Sequence, residues 1–249
     1  MPDGSLSILA LLFLVVGALY SSVGHAGASG YLAVMALVGT ETGVMRPAAL
    51  TINVLVAFIA FVQFARAGHF SWTLFWPFAL ASVPAAFLGG KLHIPPEPLK
   101  IAIGIVLLLS AIRMAGTALI PKPVSTPPKS PPIPSALACG GVIGLLSGIT
   151  GTGGGIFLSP LMLILRWADT KHAATTSALF ILVNSLAGLG GLAANGWKPM
   201  PGLAVLAVTA GIGGLIGSYF GSRMAQPRTL NILLAAVLLI AGGKLILSR

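Results

Sequence analysis

Long runs of apolar residues make up most of the chain, and polar positions fall mainly between them. The runs cover roughly 6–23, 30–39, 47–65, 71–92 and 98–120, then 135–150, 154–166, 173–194, 201–222 and 228–247. Many approach the ~20 apolar residues that carry a helix across a bilayer. The pattern predicts an all-α integral membrane protein with roughly eight to ten helical segments. The short runs at 30–39 and 154–166 set that number. If they cross the membrane, each half has five crossings and the halves are inverted. If they are re-entrant, each half has four and the halves are parallel.

A proline-rich stretch, Pro121 to Pro134, separates the two sets of runs. Proline at that density resists helix and favours an extended, semi-rigid conformer. The chain therefore divides into a first transmembrane repeat at 1–120, a linker at 121–134 and a second repeat at 135–249. The repeats match in order. Tyr31-Leu32 corresponds to Phe157-Leu158, and Arg46-Pro47-Ala48-Ala49-Leu50-Thr51 to Lys171-His172-Ala173-Ala174-Thr175-Thr176. Gly68 and Trp72 lie near the counterpart of Gly196 and Trp197, Gly89-Gly90-Lys91 matches Gly221-Ser222-Arg223, and Leu99-Lys100-Ile101 matches Leu230-Asn231-Ile232.

In each repeat a cluster of glycines and hydroxyl residues interrupts the apolar pattern. The first is Val23-Gly24-His25-Ala26-Gly27-Ala28-Ser29-Gly30, and the second is Ile149-Thr150-Gly151-Thr152-Gly153-Gly154-Gly155. Unwound backbone at membrane depth is tolerated only where protein buries it or water reaches it. A matched pair of such breaks points to a transporter's binding site. A helix starting after a break presents free N–H groups and a partial positive charge, which suits an anion.

Composition strengthens the membrane reading and sets the sign of the cargo. Of 249 residues, 56% are hydrophobic and 7% charged, with a mean hydropathy of +1.00. A soluble domain carries about 25% charged residues. The acids Asp3, Glu41, Glu97 and Asp169 all lie in tails or between runs, which argues against a cation carrier. The net charge of +10 comes from Lys and Arg scattered singly at run ends, so no nucleic-acid surface is expected. Arg66, Arg113, Lys122, Lys129, Arg166, Lys171, Arg223 and Arg228 fall on the linker's side, which places the linker in the cytoplasm. Met1-Pro2-Asp3-Gly4-Ser5 lacks the basic region of a secretory signal, so the first run is expected to be a retained span. The single Cys139 allows neither an intrachain disulfide nor a multi-cysteine zinc site, and no metal or cofactor is expected.

The candidate substrate-binding residues are Ser22, His25, Gly27 and Ser29 in the first break, with Thr51 and Asn53 in the run that follows. In the second half they are Thr150, Gly151, Thr152, Gly153 and Gly154, then Thr175, Thr176, Ser177 and Asn184. Arg46 and Lys171, at matching positions, are expected to steer anions at the site mouth, whereas Lys91 and Arg223 read as helix-end cations. His25 is the one ionisable residue expected at depth in the first break, so it is a candidate anion ligand or proton relay. Its counterpart is Gly151. His69, His93 and His172 are expected in loops. An intramembrane enzyme would need a base to activate its hydroxyls, and no such constellation is present, so no enzyme is expected.

These features resemble the TauE/SafE sulfite-exporter-like family, also called the toluene sulfonate uptake permease family. The resemblance rests on Gly148-Ile149-Thr150-Gly151-Thr152-Gly153-Gly154-Gly155, on Lys171 through Ser177, and on Gly213-Gly214, Gly217 and Gly221-Ser222-Arg223. It covers both halves. The first break departs from the family pattern, with fewer glycines and an added histidine. The resemblance implies carriage of sulfite, sulfonates or related oxyanions across a bacterial inner membrane. The paired breaks and repeats point to a secondary transporter working by alternating access, and protons relayed by His25 are the expected coupling ion. A channel, or a carrier of a non-sulfur anion such as a carboxylate, is the competing reading. The expected partners are the small anion, protons and the lipid bilayer, with monomer and homodimer both open.

Overall fold

The computed structural model describes residues 3–119, 129–194, 196, 199–223, 238–240, 242–244 and 246–247. Among them, nine helices and no strands form. They are α1 (Asp3–Ser21), α2 (Ala28–Leu37), α3 (Thr42–Arg66), α4 (Trp72–Lys91), α5 (Pro96–Leu119), α6 (Ile133–Thr150), α7 (Gly155–Ile164), α8 (Thr170–Ala193) and α9 (Leu203–Arg223). Of the last expected run, residues 238–240, 242–244 and 246–247 are helical, while 228–237 lie outside the described residues. Helices α3, α4, α6, α8 and α9 are long and apolar enough to cross a membrane.

Local chemistry explains the helix starts. Asp169 caps α8 by accepting the N–H groups of Lys171 and His172, each at 2.9 Å. His172 thus belongs to the first turn of α8 and not to a loop, correcting the expectation for it. Helix α6 begins at Ile133, with Pro134 in its first turn, where a missing N–H costs no bond. It therefore takes the last two residues of the expected linker. Residues 120–128 lie outside the described residues.

The helices pack through small residues spaced four apart. On α6, Gly140, Gly144 and Gly148 lie against the backbone of Phe78, Ser82 and Ala86 on α4. On α9, Gly213, Gly217 and Gly221 lie against Leu14 and Ala18 on α1 and Ser22 just past its end. Both registers rise together, so each pair is parallel. In each case the fourth helix of one half packs on the first helix of the other, and the halves interleave. Close backbone approach of this kind is how helices associate where lipid removes the hydrophobic drive between them.

Helices α3 and α8 cross the centre in opposite directions. Arg46, near the start of α3, bonds to Gly89 and Gly90, and Gly90 packs on Gly188, late in α8. Just past the other end of α3, the His69 ring lies 5.9 Å from that of His172 at the start of α8. The interior holds polar side chains within an apolar core, and the outside is apolar. Asn53, Thr176, Asn184 and Ser185 are fully buried, while Leu80, Ile112 and Val142 are exposed. Lipid, not water, suits that surface.

Candidate functional site

Both expected breaks are present. After α1 the chain turns through Gly24 (φ 76°) and Gly27 (φ 98°) before α2. After α6 it turns through Gly151 (φ 79°), Gly153 (φ 75°) and Gly154 (φ 80°) before α7. Only glycine adopts these dihedrals without steric cost. The helices α2 and α7 have 10 residues each, a length of about 15 Å, roughly half the hydrocarbon layer. The second segment of each half is therefore part helix and part unwound chain. The N–H groups at the first two positions of α2 and α7 have no helical acceptor and point back into the breaks, while Phe157 N–H already donates to Gly154 O.

The two breaks meet at His25. Its Nε2 lies 3.2 Å from Gly155 O in the second half, and its Nδ1 lies 3.0 Å from Val23 O. Both ring nitrogens thus face carbonyl oxygens. A neutral imidazole can donate to one of them, and an imidazolium to both. A small pocket opens beside the ring, lined by Tyr20, Gly27, Ser29, Thr152, Ile156 and Ile181 among others. It has room for about one water-sized particle. In its wall, Ser29 Oγ donates to Tyr20 Oη at 3.1 Å. The Thr150 and Thr152 hydroxyls lie 3.0 Å apart.

A second polar group lies deeper, half-way along α3 and α8. A methyl placed on Gly153 would sit 2.8 Å from Asn53 Nδ2 and 3.3 Å from Ser185 Oγ. Both amide atoms of Asn53, both of Asn184, Thr176 Oγ1 and Ser185 Oγ are buried without a hydrogen-bond partner. Each such atom costs about 1–3 kcal/mol. Asn53 and Ser185 face the second break at Gly153, and buried polar atoms without partners are what a ligand site supplies and a packing interface avoids.

The other expected ligands are turned elsewhere. Thr51, Thr150 and Thr175 donate to the carbonyls of Pro47, Leu146 and Lys171 in their own helices, and Ser22, just past α1, donates to Leu19 O. Ser177 Oγ pairs with Ser159 Oγ at 2.6 Å. Gly151 packs on the backbone of Arg46, and Gly154 on Ile143 and Phe180.

Arg46 and Lys171 act alike, each on the fourth helix of its own half. Arg46 Nη2 donates to Gly89 O at 2.6 Å and Gly90 O at 2.7 Å, at the end of α4. Lys171 Nζ donates to Ser222 O at the end of α9. Cations suit the carbonyl end of a helix. Lys91 and Arg223 end α4 and α9 as the sequence indicates; both are exposed, and Arg223 donates to Tyr219 O at 3.4 Å and stacks over the Tyr219 ring at 3.9 Å. Arg46 is 4% exposed, with its Nε unpartnered, whereas Lys171 is half-buried. Because α3 and α8 are antiparallel, these two bonds lie at opposite ends of the molecule.

Sequence reasoning missed Ser185, Ser21 and Ser147. All three are buried with unpartnered hydroxyls. Ser21 and Ser147 precede Tyr31 and Phe157 by the same spacing, so carrying the repeat match ten residues towards the N-terminus would have paired them. Among the described residues, no group of three or more His, Cys, Asp or Glu is placed to hold a metal ion.

Comparison with known proteins gives a concordant result. The family model described as Sulfite exporter TauE/SafE matches residues 9–245. A protein of Sinorhizobium fredii named "Probable membrane transporter protein y4hK" is 41% identical over 242 residues, 96% of this chain and 97% of its own length. "Probable membrane transporter protein YjnA" of Bacillus subtilis is 27% identical over 257 residues, covering 97% of this chain and 100% of its own. A probable membrane transporter of Methanocaldococcus jannaschii is 26% identical over 196 residues, 74% of this chain and 72% of its own. No solved structure matches the chain.

Proposed function

The chain belongs to the Sulfite exporter TauE/SafE family, and on that premise we propose that it is a secondary membrane transporter of small sulfur-containing anions such as sulfite or sulfonates. The observation that carries this reading is the meeting of two unwound helix breaks at His25 and Gly155, beside buried hydroxyl and amide groups with no partner. A sulfite or sulfonate group offers three oxygens to such donors. The donors are neutral, so the anion's charge is met by helix N-termini and not by a fixed ion pair.

The repeats are read as inverted. The antiparallel α3 and α8 support this, and the parallel pairs of α1 with α9 and α4 with α6 are compatible with it. If each half-broken segment crosses the membrane, the two halves have opposite orientation, and rocking one against the other exposes the central site to each side in turn. The Arg46 and Lys171 bonds then close opposite ends. Protons are the coupling ion, and His25 is their carrier, because its ionisable ring bridges the two breaks. The protein sits in a bacterial inner membrane with its proline-rich linker in the cytoplasm.

Purified protein in proteoliposomes is expected to take up labelled sulfite or a small sulfonate faster than empty liposomes, in a saturable manner. Flux equal to empty liposomes across a panel of sulfur oxyanions would overturn the reading.

A further inference from the structure

Helix α8 presents Ser177, Ile181, Ser185 and Gly188 on one face, since residues four apart align. That face lies against the second break. Ile181 is the bulky member among small and polar ones. A methyl on Gly153 would meet Ile181 Cγ2 at 2.7 Å, and Ile181 also packs over Gly155 and lines the pocket beside His25. Asn53 and Ser185 are absent from that pocket's lining, yet both reach the same point at Gly153. Ile181 therefore borders two polar clusters. One is the pocket of His25, Ser29 and Thr152. The other holds Asn53 and Ser185, each 0% exposed.

We propose that Ile181 is a hydrophobic gate between two stations for the cargo. The outer station is the His25 pocket. The inner station is a second oxyanion site in which Asn53 Nδ2 and Ser185 Oγ donate to the anion at the N-terminal end of α7. The orphaned amide of Asn53 marks it as a ligand site, for this group is fully buried, has no partner and is aimed at the break. Its ligand is a small, compact oxyanion, because the donors converge on one glycine. A β-branched side chain is stiff at χ1. Ile181 thus stays shut until α8 shifts against the break, which ties passage between stations to the movement of one half against the other. The choice of an oxyanion rests on the transport reading above, whereas the gate does not.

The test uses the full chain with Cys139→Ser, which leaves no other thiol. Ser185→Cys is added, and its modification by a charged, water-soluble methanethiosulfonate is followed by mass. Adding Ile181→Ala is expected to speed modification about tenfold or more, as the open population rises, with Ile181→Val intermediate. The valine variant guards against a fold disturbed by the larger deletion. Equal rates in all three backgrounds would overturn the gate. Methanesulfonate is expected to slow modification in the Ile181→Ala background, and chloride at equal concentration is not. Faster modification without that protection would overturn the inner oxyanion site. If the gate behaves as expected while the wild type carries no sulfur oxyanion in proteoliposomes, the gate stands and the transport reading falls.

Discussion

His25 joins the two halves through one ring, and its protonation state decides how many of its two carbonyl partners it can satisfy. A glutamine at this position cannot gain a proton. In proteoliposomes the wild type is therefore expected to change its rate with pH. His25→Gln is expected to transport with a flat profile, and a variant that keeps the wild-type pH dependence would remove His25 from coupling. Asp169 is a simpler residue with a definite sign. Burial raises its carboxyl, but hydrogen bonds from the His172 backbone and ring, the His172 charge and the Lys171 N–H outweigh this and leave it below the usual carboxylate range. Its folded value is thus depressed. The stability it adds is fully present above the unfolded value near 3.8 and is lost as pH falls through the lower folded value. The group is half-exposed, so solvent screening limits that contribution. Asp169→Ala should cost about 1 kcal/mol or less at neutral pH as a lost N-cap. Thermal unfolding in detergent should show the deficit shrink as acid is added, and a deficit independent of pH would deny the cap its charge.

At the scale of elements, the glycines divide into two kinds that the sequence does not separate. Those on α6 and α9 admit another backbone. A methyl on Gly217 would collide with Ala18 O on α1, a backbone atom that cannot swing aside. Gly217→Ala is expected to destabilise the protein by about 1–3 kcal/mol or more, as overpacking does. Gly116, in α5, meets nothing within 4 Å. Gly116→Ala is expected to be neutral or to stabilise by up to about 1 kcal/mol through helix propensity. Thermal unfolding of the two variants side by side measures the contrast, and equal shifts would contradict the close parallel packing. The breaks themselves were legible, because glycine and hydroxyl residues in an apolar run have few other meanings and because they occur twice. The elements following them were also legible in kind. Less legible was which hydroxyls stay free. Thr51 and Thr176 are matched in sequence, yet Thr51 bonds back to Pro47 while Thr176 has no partner. That choice depends on rotamers set by neighbouring helices, which no pattern along the chain records. The same limit applies to Arg46 and Lys171. Their match across the repeat was visible, but their partners at the ends of α4 and α9 are far away in sequence.

For the whole molecule, the decisive property is how the two halves are oriented relative to each other. Charge along the sequence left five or four crossings per half open, because the Lys and Arg bias is modest. Helix direction bears on the choice more strongly. The C-caps of α3 and α8 are Ala67 and Ala194, and both are exposed. Since α3 and α8 run antiparallel, with His69 beside His172 at one end and Arg46 towards Gly188 at the other, these caps lie at opposite ends of the molecule. In a membrane, opposite ends are opposite faces. In the Cys139→Ser background, Ala67→Cys is expected to react with an impermeant maleimide from the cytoplasmic face, and Ala194→Cys from the outer face. Intact cells and inside-out vesicles distinguish the two. Reaction of both from one face would make the halves parallel, and rocking of inverted repeats about the His25 junction would lose its geometric basis. Reaction from opposite faces, but with Ala67→Cys outside, would keep the inversion and turn the whole protein over. The Lys171 bond would then close the outer end and the Arg46 bond the inner one.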